Sequence, residues 1–384
     1  MSRALAFALG LILAASCGGD DDGGGGDADG GGGGPDAGGE RDGGVIDPEP
    51  CRVALPVDLI WVVDNSNSMQ EEQAQLVANF PVLIETLTNP PDRDGDGEPD
   101  FPPLDDLRAG IVTTDMGVGD NPGVIGCPSA TGDEGIFVSE SRSEAAECAG
   151  FALEEPSWLQ FDGTNGEAFE SEFACLAELG TNGCGLEQQL EASREALTTH
   201  REAGGPHEGF LRSDSLVAVI FVTDEDDCSA ADESIFDPSP AATSELGPLG
   251  TRCAFHPELL HPTDRYVRTL KDLALDRRGD VIVAAITGVP RALTEDPLDV
   301  DFEALLADER MEYREDETRP GQLAPACEFG GVGRAPPARR LVEVVREFAE
   351  TGDGLLASIC EPDMRPAIAS IAELVAARLC DAPE

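Results

Sequence analysis

Apolar residues fall along this chain in short runs that alternate with stretches of helical spacing. Val57 to Val63 is an apolar run ending at Asp64 and predicts a buried strand. From Gln70 to Leu87, the residues Leu76, Phe80, Leu83, Ile84 and Leu87 recur at helical spacing, with Pro81 as an expected kink. Leu107 to Thr113 predicts a second strand, Leu186 to Leu197 a helix, and Leu216 to Thr223 a strongly apolar strand. Tyr266 to Leu275 predicts a helix and Val281 to Ile286 a strand. Arg339 to Phe348 is helical in pattern, Leu355 to Ile359 is a short strand, and Pro366 to Leu379 is a last amphipathic helix. Between them, 116–180 reads as irregular, cysteine-bearing and rich in glycine and acids, and 229–262 and 288–337 read as proline-bearing insertions. Strands apolar on both faces and alternating with helices predict an α/β fold. Its expected form is a doubly wound, mostly parallel central sheet flanked by helices, with disulfide-bearing insertions. Ligands in such sheets bind beyond the carboxyl ends of the strands, so the residues just past each strand matter most.

Upstream of this pattern the composition changes twice. Arg3 followed by the apolar run Ala4 to Ala15 has the length of an export-signal core and is too short to span a membrane. Leu13-Ala14-Ala15-Ser16-Cys17 resembles a lipobox, in which Cys17 takes a lipid and becomes the first mature residue; the leucine stands one place early for the usual pattern. Residues 18–50 read as a glycine- and aspartate-rich tether that cannot bury enough apolar surface to fold. The expected organisation is a signal peptide over 1–17, a flexible linker over 18–50 and one domain with insertions over 51–384. The expected location is the cell envelope, at the outer membrane or cell surface, with the membrane met only through the lipid anchor.

Cysteine usage agrees with export. Of eleven cysteines, setting Cys17 aside leaves an even set suited to disulfides. Cys228–Cys253 and Cys360–Cys380 are the expected local pairs. The formal charge of −51, with Lys271 as the one lysine, excludes a polybasic surface and argues against nucleic-acid partners. The same acidity attracts cations.

The chemistry concentrates after two strands. Asp64-Asn65-Ser66-Asn67-Ser68 comes after the first, and Thr223-Asp224-Glu225-Asp226-Asp227 ends the Leu216 strand. Carboxylates and hydroxyls are hard oxygen ligands for Mg²⁺, Mn²⁺ or Ca²⁺. In a turn, alternate residues can aim at one point, so Asp64, Ser66 and Ser68 offer three oxygens to one ion. Without its context the same string is a polar turn in which Ser66 or Ser68 caps the next helix.

The stretch Val57 to Met69 resembles the first strand and metal-ion-dependent adhesion-site loop of von Willebrand factor A domains. Asp64, Ser66 and Ser68 match that family's D-x-S-x-S trio. Thr181, in Gly-Thr-Asn-Gly ahead of a helix, resembles its threonine, although Thr113 and Thr114 also stand at a strand end. Asp224, in Phe-Val-Thr-Asp, resembles its aspartate, and Val281 to Val289 resembles its next strand and turn. The resemblance covers roughly 54–380 with large insertions. It departs at Glu225, where the family has glycine. It implies a Rossmann-like fold and a divalent metal, Mg²⁺ or else Mn²⁺ or Ca²⁺. The ion would keep one position open for an Asp or Glu carboxylate of a protein partner, in adhesion or scaffolding rather than catalysis.

A second acidic stretch, Asp92-Arg93-Asp94-Gly95-Asp96-Gly97-Glu98-Pro99-Asp100, is similar to calcium loops of thrombospondin-type and dockerin-like repeats. Asp92, Asp94, Asp96 and Asp100 are the candidate Ca²⁺ ligands; a solvated acidic turn is the alternative. No phosphate-cradling loop and no nucleophile–His–Asp arrangement occurs. His200, His207, His256 and His261 lack ligand spacing and are expected to be structural or superficial. Two other functions remain: a metal-dependent hydrolase with Glu225 or Asp226 as base, and a calcium-stabilised structural surface protein.

Overall fold

The computed structural model describes residues 54–379, apart from 94, 122, 125, 276–279 and 331. The elements run β1 (Val57–Val63), α1 (Gln70–Thr88), β2 (Leu107–Thr113), β3 (Leu159–Phe161), α2 (Gly166–Ala177), α3 (Gln189–Leu197), β4 (Leu216–Val222), α4 (Pro240–Leu246), α5 (Arg252–Phe255), α6 (Thr263–Leu275), β5 (Val281–Thr287), α7 (Phe302–Ala307), β6 (Cys327–Phe329), β7 (Val332–Ala335), α8 (Arg339–Ala349), β8 (Gly354–Ser358) and α9 (Arg365–Arg378).

Six of these strands form one sheet in the order β3-β2-β1-β4-β5-β8. All neighbours are parallel except β3, which lies antiparallel on the edge beside β2. The fold is thus mixed α/β, with a mostly parallel central sheet flanked by helices. Because side chains alternate along a strand, each central strand feeds two cores. Leu59, Trp61 and Val63 of β1 and Ala218, Ile220 and Val222 of β4 pack with α1, α2 and α9. Ile60, Val62, Val217, Val219 and Phe221 pack on the other face with α3, α6 and α8. The chain leaves β1 toward β2, then returns to place β4 on the other side of β1. The helices after β1 and β4 lie on opposite faces, so the carboxyl ends of these two strands flank a crevice.

Two elements were not legible in 116–180. The edge strand β3 is only three residues long. Helix α2 buries Phe169, Phe173 and Leu176 along one stripe, and Phe173 stacks on Phe80 and meets Trp61 edge-on. Helix α1 continues through Pro81.

Four disulfides occur among the described residues: Cys127–Cys184, Cys148–Cys175, Cys228–Cys253 and Cys327–Cys360. The expected Cys228–Cys253 pair is present. The expected Cys360–Cys380 pair is corrected, because Cys360 bonds Cys327. After Cys360 the chain enters α9, whose fourteen residues advance about 21 Å along its axis, while the second insertion brings Cys327 beside the end of β8. Cys17, Cys51 and Cys380 lie outside the described residues, as do the expected signal peptide over 1–17 and the expected linker over 18–50.

Candidate metal centre

The register of the sheet assembles the site. Val63 pairs with Val222 of β4 and with Thr113 of β2, so the three strands end level. The Asp64 N–H continues the ladder to Val222 O at 2.9 Å. This puts Asp64 beside Thr223 and Asp224, although they are far apart in sequence.

Asp64 is fully buried. Its Oδ1 accepts the Ser66 N–H at 2.7 Å, and its Oδ2 accepts the Thr223 hydroxyl at 2.7 Å. The loop is clamped further by Gln73, whose Nε2 donates to Asp64 O at 2.8 Å and Gly180 O at 3.0 Å. Helix α1 starts after Met69 without a side-chain cap. The serines therefore do not cap it. Instead Ser66 Oγ and Ser68 Oγ lie 3.2 Å apart, and Ser68 Oγ donates to Asp224 Oδ1 at 3.1 Å. Asp64, Ser66, Ser68 and Asp224 are thereby gathered into one cluster.

Thr181 is placed differently. Its neighbours touch the loop: Gly180 O accepts from Gln73, and the Gly183 N–H donates to Asn65 O at 2.9 Å. A Cβ on Gly183 would stand 2.1 Å from Asn65 Oδ1, so only glycine allows this approach. Thr181 is half-buried and makes no hydrogen bond to the cluster. Thr113 donates to Asp133 instead, and Thr114 Oγ1 is buried without a partner among the described residues.

Glu187, just ahead of α3, also comes from this region. It is buried and lines, with Ser68, Asp224 and Glu225, a cleft of about 600 Å³. The cleft walls come from both insertions, through Leu249, Gly250 and Cys253 of one and Arg319, Gly321 and Arg334 of the other. Sequence reading missed Glu187; its only signal was an acidic residue at the start of a predicted helix.

These carboxyl groups repel one another in a dry rim. Burial raises the Asp64 carboxyl above its usual range, against the lowering hydrogen bonds from Ser66 and Thr223. Burial, then the charges of Asp64 and Glu225, hold Asp224 well above that range. The same causes act on Glu187, with Asp64 the largest charge. Burial, Asp64 and Asp226 push Glu225 up to about 8, with Arg334 opposing. Asp226, raised by burial to about 6, is held by Tyr313 and Arg340. Asp227 pairs with Arg340 at 3.0 Å and caps α3 through the Leu190 N–H.

Four buried oxygens around these loops lack a partner among the described residues: Asn65 Oδ1, Glu72 Oε2, Glu187 Oε1 and Gln189 Oε1. All are acceptors. A surplus of buried acceptors among carboxyl groups is the setting in which a cation relieves both desolvation and repulsion. Two carboxylates plus serine hydroxyls make a hard-oxygen donor set suited to Mg²⁺, Mn²⁺ or Ca²⁺. Among the described residues, no three His, Cys, Asp or Glu side chains by themselves form a metal-holding group.

The Asp92–Asp100 stretch is exposed. Asp92 accepts the Gly95 and Gly97 N–H groups, Asp96 the Glu98 N–H, and Asp100 the Arg93 N–H. These carboxylates serve their own turn; Asp94 lies outside the described residues. His207 is a core residue and His256 bridges Glu258 and Leu246 O. No helix among the described residues is long and apolar enough to cross a membrane.

No protein-family model and no curated protein matches the chain. Among solved structures it is similar to PilB minor pilin from Streptococcus sanguinis, at 8% identity and a TM-score of 0.38 over 86% of this chain and 64% of that one. It is also similar to proximal thread matrix protein 1 of the mussel byssus, at 12% identity and 0.27 over 62% and 38%. A third is the pilus adhesin SpaC of Lactobacillus rhamnosus GG, at 11% identity and 0.29 over 77% and 30%. The chain spans less than two thirds of each of these structures, and at such scores the likenesses are loose ones of shape.

Proposed function

We propose that Asp64, Ser66, Ser68 and Asp224 hold a divalent cation in a von Willebrand factor A-type domain, and that the ion binds a protein partner at the cell envelope. One observation carries this reading. Two buried aspartates at the ends of adjacent parallel strands are joined through the Ser66–Ser68 hydroxyl pair at the edge of an open cleft. A bound ion would neutralise that edge and leave a coordination position facing the cleft. A partner's Asp or Glu carboxylate is the group such a position takes. Arg319 and Arg334 line the same cleft and offset part of its acidity toward such a group. Cys17 lipidation and the 18–50 tether would hold the domain off the membrane.

The test is calorimetric titration of the EDTA-stripped protein with Mg²⁺, Mn²⁺ and Ca²⁺, beside affinity capture from the cell envelope with and without chelator. Asp64→Ala is expected to remove the binding heat and the cation-dependent capture while circular dichroism stays native. Capture that survives both the substitution and EDTA sinks the adhesion reading.

One observation favours a second reading. Glu225 lines the cleft beside Ser68 and Asp224, where a carboxylate can serve as a general base. With a metal-polarised water this would give a hydrolase. Cation-dependent turnover of phosphoester or peptide substrates, lost in Glu225→Gln, would replace the binding reading.

A further inference from the structure

Two glutamates line the cleft without a group to neutralise them. Glu187 is 4% exposed, and its buried Oε1 has no hydrogen-bond partner among the described residues. Its backbone is fixed from two sides. The Glu187 carbonyl accepts the Cys228 N–H at 2.7 Å, and the next residue, Gln188, donates its N–H to Thr114 O at 3.0 Å. Glu225 is also held through its backbone, with its N–H on Thr223 Oγ1 at 3.2 Å and its carbonyl accepting from Gln189 Nε2 at 3.3 Å. These bonds leave the Glu225 carboxyl group without a partner among the described residues. The arginines of the cleft do not answer either acid. Arg334 pairs with Asp316 and donates to Leu323 O at 3.3 Å. Arg319, on the turn closed by the Asp316 N–H and Gln322 O, pairs with neither. Apolar surface shares the cleft with these acids, through Leu249 and Ala254 of the first insertion and Leu323 of the second. The two insertions meet beside it, where a Cβ on Gly250 would stand 2.9 Å from Gly321 O.

We propose that Glu187 and Glu225 form a guanidinium subsite, which takes an arginine side chain of a protein partner beside the aspartate–serine cluster. A metal ion needs its oxygens gathered around one centre, and among the described residues Glu187 and Glu225 do not join the aspartates in such a group. A guanidinium has no such need. Its five N–H donors are spread over a planar fork and reach separate acceptors along a wall. An ammonium is a compact point charge and serves fewer of them at once. The methylene stem of an arginine packs on apolar surface of the kind that Leu249, Ala254 and Leu323 offer. Charge points the same way: a buried carboxylate left unpaired is costly, and a cationic fork removes that cost. The subsite goes beyond the cation reading above and needs no bound ion.

The probes are three end-blocked tripeptides, Gly-Arg-Gly, Gly-Lys-Gly and Gly-citrulline-Gly, and ethylguanidinium as the head group alone. Each is titrated by NMR at fixed ionic strength into the EDTA-stripped protein. Wild type is compared with Glu187→Gln, Glu225→Gln and Glu202→Gln, each checked for its fold by circular dichroism; Glu202 is an exposed acid outside the cleft lining. Wild type is expected to bind the arginine peptide more tightly than the lysine peptide or ethylguanidinium, and the citrulline peptide not at all. Glu187→Gln and Glu225→Gln should each weaken the arginine peptide by about tenfold or more, and Glu202→Gln should leave it unchanged. Equal binding by wild type and Glu187→Gln overturns the proposal. So does an equal loss in Glu202→Gln, which would assign the binding to the diffuse field of a chain of charge −51. Equal affinity for the lysine peptide overturns the guanidinium preference, and equal affinity for ethylguanidinium overturns the partner side chain as its source. Arginine-peptide binding by a protein that gives no heat with any divalent ion supports this subsite and sinks the cation reading; the reverse pattern does the opposite.

Discussion

His207 shows how one buried side chain sets a pH limit. Its Nε2 accepts the Phe137 N–H at 2.9 Å, so the ring proton sits on Nδ1 and faces Ala196 O at 3.0 Å. The ring also stacks on Phe137. A second proton would point at an N–H group, and burial lowers the pKa from 6.5 to about 4. The folded value is depressed, so this stability is complete above the unfolded value of 6.5 and is lost as pH falls toward 4. The shift corresponds to about 3 kcal/mol. Urea denaturation of wild type and His207→Gln across this range should converge as pH drops. Parallel curves would show that His207 does not control this limb. The cluster around Asp64 behaves in the opposite way. Its carboxyls are raised, so protons and a cation compete for the same oxygens.

At the scale of elements, α2 carries the larger lesson. Its sequence, GEAFESEFACLA, mixes acids with aromatics, and the surrounding glycines and cysteines mask its period. Tertiary packing decides it: Phe169 and Phe173 close the core against Phe80 and Trp61. Phe173→Ala should therefore destabilise the protein by about 3–5 kcal/mol, read as a shift in the urea midpoint with an unchanged slope. A loss no larger than a surface substitution gives would mean α2 is peripheral. The insertions tell a related story. They carry little periodicity, yet they supply the cleft walls. Cys228–Cys253 fastens the first beside the Asp224 loop, and Cys327–Cys360 fastens the second beside β8.

For the whole molecule, the formal charge of −51 means that surface repulsion opposes folding. Added NaCl should raise the melting temperature by screening. A divalent salt at matched ionic strength should raise it further, and that increment should vanish in Asp64→Ala. An equal increment in that variant would assign it to diffuse screening and not to a site.

The sequence by itself determined the parts that rest on local periodicity. Strands β1, β2, β4, β5 and β8 and helices α1, α3, α6, α8 and α9 were legible because fully buried strands and two-faced helices leave repeating apolar marks. Asp64, Ser66, Ser68 and Asp224 were legible as a group because each stands just past a strand end, and parallel strands bring such ends to one edge. Only the tertiary structure decided their surroundings. It set Glu187, and not Thr181, in the cleft beside them, paired Cys327 with Cys360, folded α2 from an irregular stretch and turned two insertions into cleft walls. These depend on contacts between segments far apart in the chain. A side chain's burial and its unpaired oxygen are created by neighbours that sequence spacing does not name.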